Sequence, residues 1–413
     1  MSVHHHIARF LQENGYHKTL LAFRDEHGSE LDTGVSFSGS LEDSIVSGVK
    51  DLSITDSAAV AAMDSPWMKD KPTLPKWKHR TCAQANVLPS IDGLTIDCAL
   101  NSELAVFATA TKKLCFVDLN TKTILATVTN AIQGSVVKKV VLTENFVVLA
   151  GINGQVKTAF FLKDARKLEF LDTLQAHERL IVDLRVVTYN GKTYMVSLGW
   201  DKYIKVHEIT QEGRFKSVST PCLISTPGNC LEAFIYREII VIAVGRQDSS
   251  LIDVFTFSDN ILRLRGQVAS MDAEFSTERF TPMCIKGCNV AESVPVIAIA
   301  TSQEPYMRVV LLSLQEVLSS DDETIHRHLI LANFNTFSPQ DKYSEAKLSW
   351  VSDGSGLWIY GDDGSISGLE LDTGKVTEKF KNHDGRIKCF ASLGNHLLTC
   401  GIDRKSIFWN SSS

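Results

Sequence analysis

No apolar run in the 413-residue chain is long enough to cross a membrane, and the longest, such as Phe146 to Gly151 and Ile239 to Val244, are the size of a strand. The first residues also lack the apolar stretch of a secretory leader. Neither sign of charge dominates: 42 Lys and Arg stand against 48 Asp and Glu, a net −6, of which residues 1–77 carry −4. Such a balance offers no basic field for a phosphate backbone, so nucleic acid is not an expected partner. The nine cysteines follow no framework spacing, and several sit inside apolar runs where a thiol serves as a small hydrophobe. A reducing compartment, cytoplasm or nucleus, is therefore expected, and the acceptor pattern Asn410-Ser411-Ser412 carries no weight there.

Catalytic signatures are equally scarce. There is no strand-turn-helix serine motif and no cysteine with an evident base. Gly151-Ile152-Asn153-Gly154 reads as a hairpin turn and not as a phosphate loop. His4, His5 and His6 are consecutive, so on a helix they point in three directions and cannot chelate together. Cys284 and Cys288 have no second pair, and His326 and His328 stand alone. No metal, no cofactor and no catalytic residue is expected.

What the chain does have begins with a short helical region. Val3, Ile7, Phe10 and Leu11 form one stripe, Asn14-Gly15 is a stop that tolerates positive φ, and Thr19, Leu20, Leu21 and Phe23 form a second stripe closed by Gly28. Two helices this short bury too little apolar surface to stand alone, so the stripes need a partner, either a second copy or the rest of the chain. Ile7, Phe10-Leu11, Asn14-Gly15-Tyr16, Thr19, Ala22-Phe23 and Glu26 resemble a LisH motif residue by residue. That resemblance implies homodimerisation through Ile7, Phe10, Leu11, Tyr16, Leu20 and Phe23. Residues 29–76 are rich in Ser, Asp and Gly, with Pro66, Pro72 and Pro75 near the end, and read as a linker. Short helices are expected within it, from Ser40 as N-cap through Leu52 and over Ala58 to Met63.

Beyond residue 77 the period changes from helical to strand-like. Alternating runs separated by Gly, Asn, Asp and Ser recur, with first strands beginning near Leu94, Val136, Ile181, Cys230, Thr281, Lys347 and Ile387. Seven such units make a seven-bladed β-propeller, so the fold class is mainly β with an N-terminal helical hairpin. The clearest units resemble WD repeats. His177, Ser197, Gly199-Trp200-Asp201-Lys202 and Ile204 to His207 fit one, and His383-Asp384-Gly385, Thr399, Gly401-Ile402-Asp403 and Ile407-Phe408-Trp409 fit another. The resemblance implies a hydrogen-bonded set of Asp403, His383, Thr399 and Trp409 in the last blade. In the other blade His177, Ser197 and Asp201 form the corresponding set, but His207 stands where Trp is usual. The last blade supplies only three strands of its own, and Trp77 to Gln84 is the spare strand expected to close the ring, giving domains 1–28, 29–76 and 77–413. The long unit before Lys347 holds an expected surface insertion within residues 315–346.

These features imply a non-enzymatic scaffold or adaptor that dimerises and recruits protein partners. Trp200, Arg179 and Arg386, on turns and entry loops at one mouth of the channel, are the expected contacts, because aromatic and Arg side chains most often anchor interfaces. An enzyme, or an RNA-associated propeller, using the central channel face is the alternative.

Overall fold

The computed structural model describes residues 8, 11, 16–27, 77, 82–271, 280–288, 294–320, 323–371, 373–394 and 396–411. The chain divides into two compact units, residues 1–71 and 72–413. In the first, a helix spans His17–His27. Leu20 is buried against Ala8, with Leu11 and Phe23 packed around them, while Tyr16 and Leu21 remain exposed. Ile7, Phe10 and the expected linker helices lie outside the described residues.

The second unit is a ring of seven antiparallel blades. Their first strands are Thr95–Leu100, Val137–Leu142, Ile181–Tyr189, Gly228–Tyr236, Pro282–Cys288, Lys347–Trp350 and Ile387–Leu393, numbered here as blades 1 to 7. Each strand start falls within two residues of the position expected from the sequence. The second strands, such as Leu104–Thr109, Val147–Gly151 and Val296–Thr301, are buried along their whole length. A strand sandwiched between neighbouring blades has no solvent side, so its sequence loses alternation and becomes a continuous apolar run. Every seam between adjacent blades holds its own apolar cluster. The ring is thus stabilised by many similar contacts instead of one central core, and its middle is left for polar groups.

The ring closes as expected in kind but not in register. The closing strand is Cys82–Val87, not 77–84, and it pairs antiparallel with Ser406–Ser411 as the fourth strand of blade 7. Trp77 lies outside the strand because its indole has another place. It packs edge-on to Trp358 at 5.6 Å in blade 6, and its Nε1–H donates to Glu378 at 3.3 Å. A Cβ on either Gly356 or Gly368 would collide with the Trp77 ring, so the two glycines form the notch that admits it.

The expected surface insertion is also more ordered than a loop. Gln315–Ser319 forms one helical turn with Val317 fully buried, and Ile325–His326 pairs in parallel with Gln267 and Val268 at the outer edge of blade 4. Arg265 Nη2 donates to the carbonyls of Leu318 and Ser320. The segment leaves blade 5 and clasps its neighbour, covering an edge that would otherwise be open.

Candidate functional site

Two kinds of polar site emerge: sets within single blades, and a channel where all the blades meet. In blade 7 the indole Nε1–H of Trp409 donates to Thr399 Oγ1 at 3.0 Å, and Thr399 lies 2.9 Å from His383 Nε2. His383 Nδ1 is 3.1 Å from Asp403 Oδ1. The only assignment that satisfies every atom has Thr399 donating to Nε2 and Nδ1–H donating to Asp403. The carboxylate also accepts the backbone N–H of Asp384 at 3.0 Å and of Lys405 at 3.1 Å. A Cβ on Gly401 would meet both the His383 ring and the Asp403 carboxylate, which explains the glycine two residues before the Asp.

Blade 3 repeats the arrangement in part. His177 Nδ1 is 2.9 Å from Asp201 Oδ1, His177 Nε2 is 2.9 Å from Ser197 Oγ, and the N–H of Glu178 donates to Asp201. Burial lowers the His177 pKa against the pull of Asp201, which favours the neutral ring that this geometry needs. His207, in place of the indole, is buried with Nδ1 unpartnered. Burial, with His177 and Lys205 nearby, brings its pKa down to about 4.

The channel is a cavity of about 550 Å³ lined chiefly by the first strands. Its lining carries Lys138, Lys139, Arg185, Lys286, Lys347 and Lys388 but only Asp97, Asp183 and Glu345 as acids. An excess of cations is therefore concentrated inside a chain whose net charge is −6. Most of these charges are tied together. Lys139 reaches Asp183 at 3.3 Å, Arg185 bridges Asp183 at 2.8 Å and Glu232 at 2.9 Å, and Lys286 meets Glu232 at 3.3 Å. This chain stitches blades 2 to 5 across their inner edges. Burial would raise the Asp183 carboxyl, but Arg185, Lys139 and Lys286 outweigh it and hold the group well below the usual carboxylate range. Lys347 and Lys388 share Glu345, and against the upward push of burial they bring its pKa down to about 2.

Lys138 differs. Among the described residues no carboxylate pairs with it, and burial pushes its ammonium pKa down. It lies at the start of a first strand, at the end of the channel where the entry loops and second turns gather. Trp200, Leu180 and Gln247 line the cavity at that same end. Trp200 is 44% exposed despite its size, which leaves an indole face uncovered on the rim.

The residues expected to bind partners thus part company. Trp200 lines the mouth and is open. Arg179 is exposed on the entry loop of blade 3, outside the cavity lining. Arg386 is not a free anchor: its guanidinium is held by Asp341 and, at 3.4 Å, by Asp362. Sequence reasoning missed Lys138 and the charged belt. The signal was present as charged residues interrupting otherwise apolar first strands, Asp97, Lys139, Asp183 and Lys388 among them.

The architecture defines a class, a propeller preceded by a LisH-type helical region, whose general kind is the protein-interaction scaffold. Family comparison agrees at both ends. Residues 61–410 match the family described as UCP007778, beta-propeller domain, and residues 1–31 match UCP007778, LisH domain, so the chain belongs to the UCP007778 family. No curated protein matches the chain.

Proposed function

We propose that this protein is a non-enzymatic, dimeric scaffold whose propeller mouth captures a partner segment carrying a carboxylate beside an apolar side chain. The carrying observation is the pairing of an unmatched, partly buried Lys138 with an exposed Trp200 on one cavity. Glu345 and Asp97 act on Lys138 only without a direct ion pair, and a cation so placed in a concave, low-dielectric setting attracts an anionic group more strongly than the same cation on a flat surface. Trp200 offers the rigid apolar face that such an interface uses as an anchor. The His177–Asp201 and His383–Asp403 pairs, which would suggest catalysis, are already satisfied within their blades. In the N-terminal unit, the exposed Tyr16 and Leu21 beside the small Ala8–Leu20 core support association of two LisH regions. Two linked mouths then gain avidity for a partner with repeated motifs.

The test is to pan a random peptide library on the full-length protein. Enrichment of Asp or Glu next to a large apolar residue is expected, falling as salt is raised. The enrichment should vanish with Lys138→Glu. Selection of basic or featureless peptides, or selection that survives Lys138→Glu, would reject this reading.

A further inference from the structure

Three thiols that no sequence motif joins converge at the seam where the ring closes. Cys98 comes from the first strand of blade 1, and Cys389 and Cys400 from the first and second strands of blade 7. Their Sγ atoms all lie within 4.8 Å of one another, and none of the three residues is more than 5% exposed. Register accounts for the convergence. Cys389 and Cys400 are directly paired across their strands, and both face the apolar cluster that blade 7 shares with blade 1, which Cys98 enters from the other side. Asp97 precedes Cys98, and neighbouring residues on a strand point to opposite faces; its carboxylate accordingly accepts the Val140 N–H in blade 2 at 2.8 Å. The polar contact supplied to the trio from outside is Ser406 Oγ–H, which donates to Cys400 Sγ at 3.5 Å.

We propose that Cys98, Cys389 and Cys400 form a three-thiolate site for a soft monovalent cation, Cu(I). The softness of three sulfur donors selects Cu(I), Zn(II) or an iron–sulfur cluster among the common ions. A structural zinc site is closed by four ligands, and an iron–sulfur cluster also takes four, but the surroundings here include Leu88, Phe107, Leu398 and Phe408, and among the described residues no fourth His, Cys, Asp or Glu ligand atom, that of Cys115 in the same cluster included, lies within 4.8 Å of all three sulfurs. Trigonal coordination at a metal–sulfur distance of about 2.3 Å sets sulfurs about 4 Å apart, within the observed spacing. The ion would reach the site from the channel, whose lining includes Cys98 and Cys389. Each coordinating thiol gives up its proton, so up to three protons pass to the buffer as the Cu–S bonds form, with no change in oxidation state. Occupancy would pin the first blade to the last at the seam that the Cys82–Val87 strand also secures.

The experiment uses the reduced full-length protein without oxygen and Cu(I) supplied as its coloured bathocuproine disulfonate complex. One Cu(I) per chain should be withdrawn from the chelator, copper-edge X-ray absorption should show three sulfur neighbours and no nitrogen or oxygen, and the melting temperature should rise. Cys98→Ala should abolish the stoichiometric uptake, and Cys115→Ala, which alters a thiol in the same cluster outside the trio, should not. No uptake, a nitrogen or oxygen ligand, or uptake unaffected by Cys98→Ala would overturn the proposal. So would an equal rise in melting temperature with Zn(II) alone. If Cys98→Ala fails to fold, the X-ray absorption of the unaltered protein decides.

Discussion

A single chain of hydrogen bonds organises the last blade: indole to hydroxyl, hydroxyl to imidazole, imidazole to carboxylate. Each group is buried or nearly so, and removing Asp403 leaves His383 Nδ1–H and the backbone N–H groups of Asp384 and Lys405 without their acceptor. Asp403→Ala should therefore lower the melting temperature, costing about 1–3 kcal/mol for each group left unsatisfied; an unchanged melt would contradict the structural role. In blade 3 the same position reads differently. His207 keeps a buried nitrogen without a partner, so His207→Phe should leave stability unchanged or raise it, while His177 and Asp201 keep their contact. Asp183 sets a pH dependence. Its folded pKa is depressed, so the stability it contributes is complete above the unfolded value of about 3.9 and is lost as pH falls below it toward the folded value. Melting curves of the wild type and Asp183→Asn should differ most near neutral pH and converge in acid. These residue sets were legible in part. Gly-x-Asp followed by a strand aromatic is a local pattern, and His383 and Thr399 lie close by in sequence. By contrast, Asp183 and its partners in blades 2, 4 and 5 come together only when the ring closes.

Strands were the most readable elements because each blade punctuates itself with Gly, Asn and Asp turns, and because channel-facing and seam-facing positions alternate along the first strands. The clasp of blade 4 was not readable. Gln315–Ser319 and Ile325–His326 each span one period of their pattern or little more, too few to show a repeat, and they are ordered by docking on blade 4. Arg265→Ala, which removes the donor to Leu318 and Ser320, should speed amide exchange at Ile325 and His326 and leave distant blades unaffected. Trp77 misled the placement of the closing strand because a large aromatic at the head of a polar run looks like a strand start. Its true function is to fill the glycine notch of blade 6 beside Trp358. Trp77→Ala should cost about 3 kcal/mol, the low end for loss of a packed aromatic, since the ring is only partly buried. An unaltered melt would show that the notch contact contributes nothing.

At the scale of the whole molecule, seven seams leave a channel whose charges are mostly spent on each other, while Lys138, among the described residues, is in no direct ion pair. In the proposed scaffold the ring supplies a rigid mouth and the N-terminal unit supplies the means of presenting two of them. Among the described residues no helix is long and apolar enough to cross a membrane. Sedimentation velocity with a fluorescent peptide taken from the library selection examines mouth and dimer together. The peptide is expected to travel with a particle of twice the chain mass, and with one of single chain mass, still bound, when Ile7 and Phe23 are both replaced by Glu. A peptide left behind at the meniscus, or an unaltered protein sedimenting as a single chain, would contradict the scaffold.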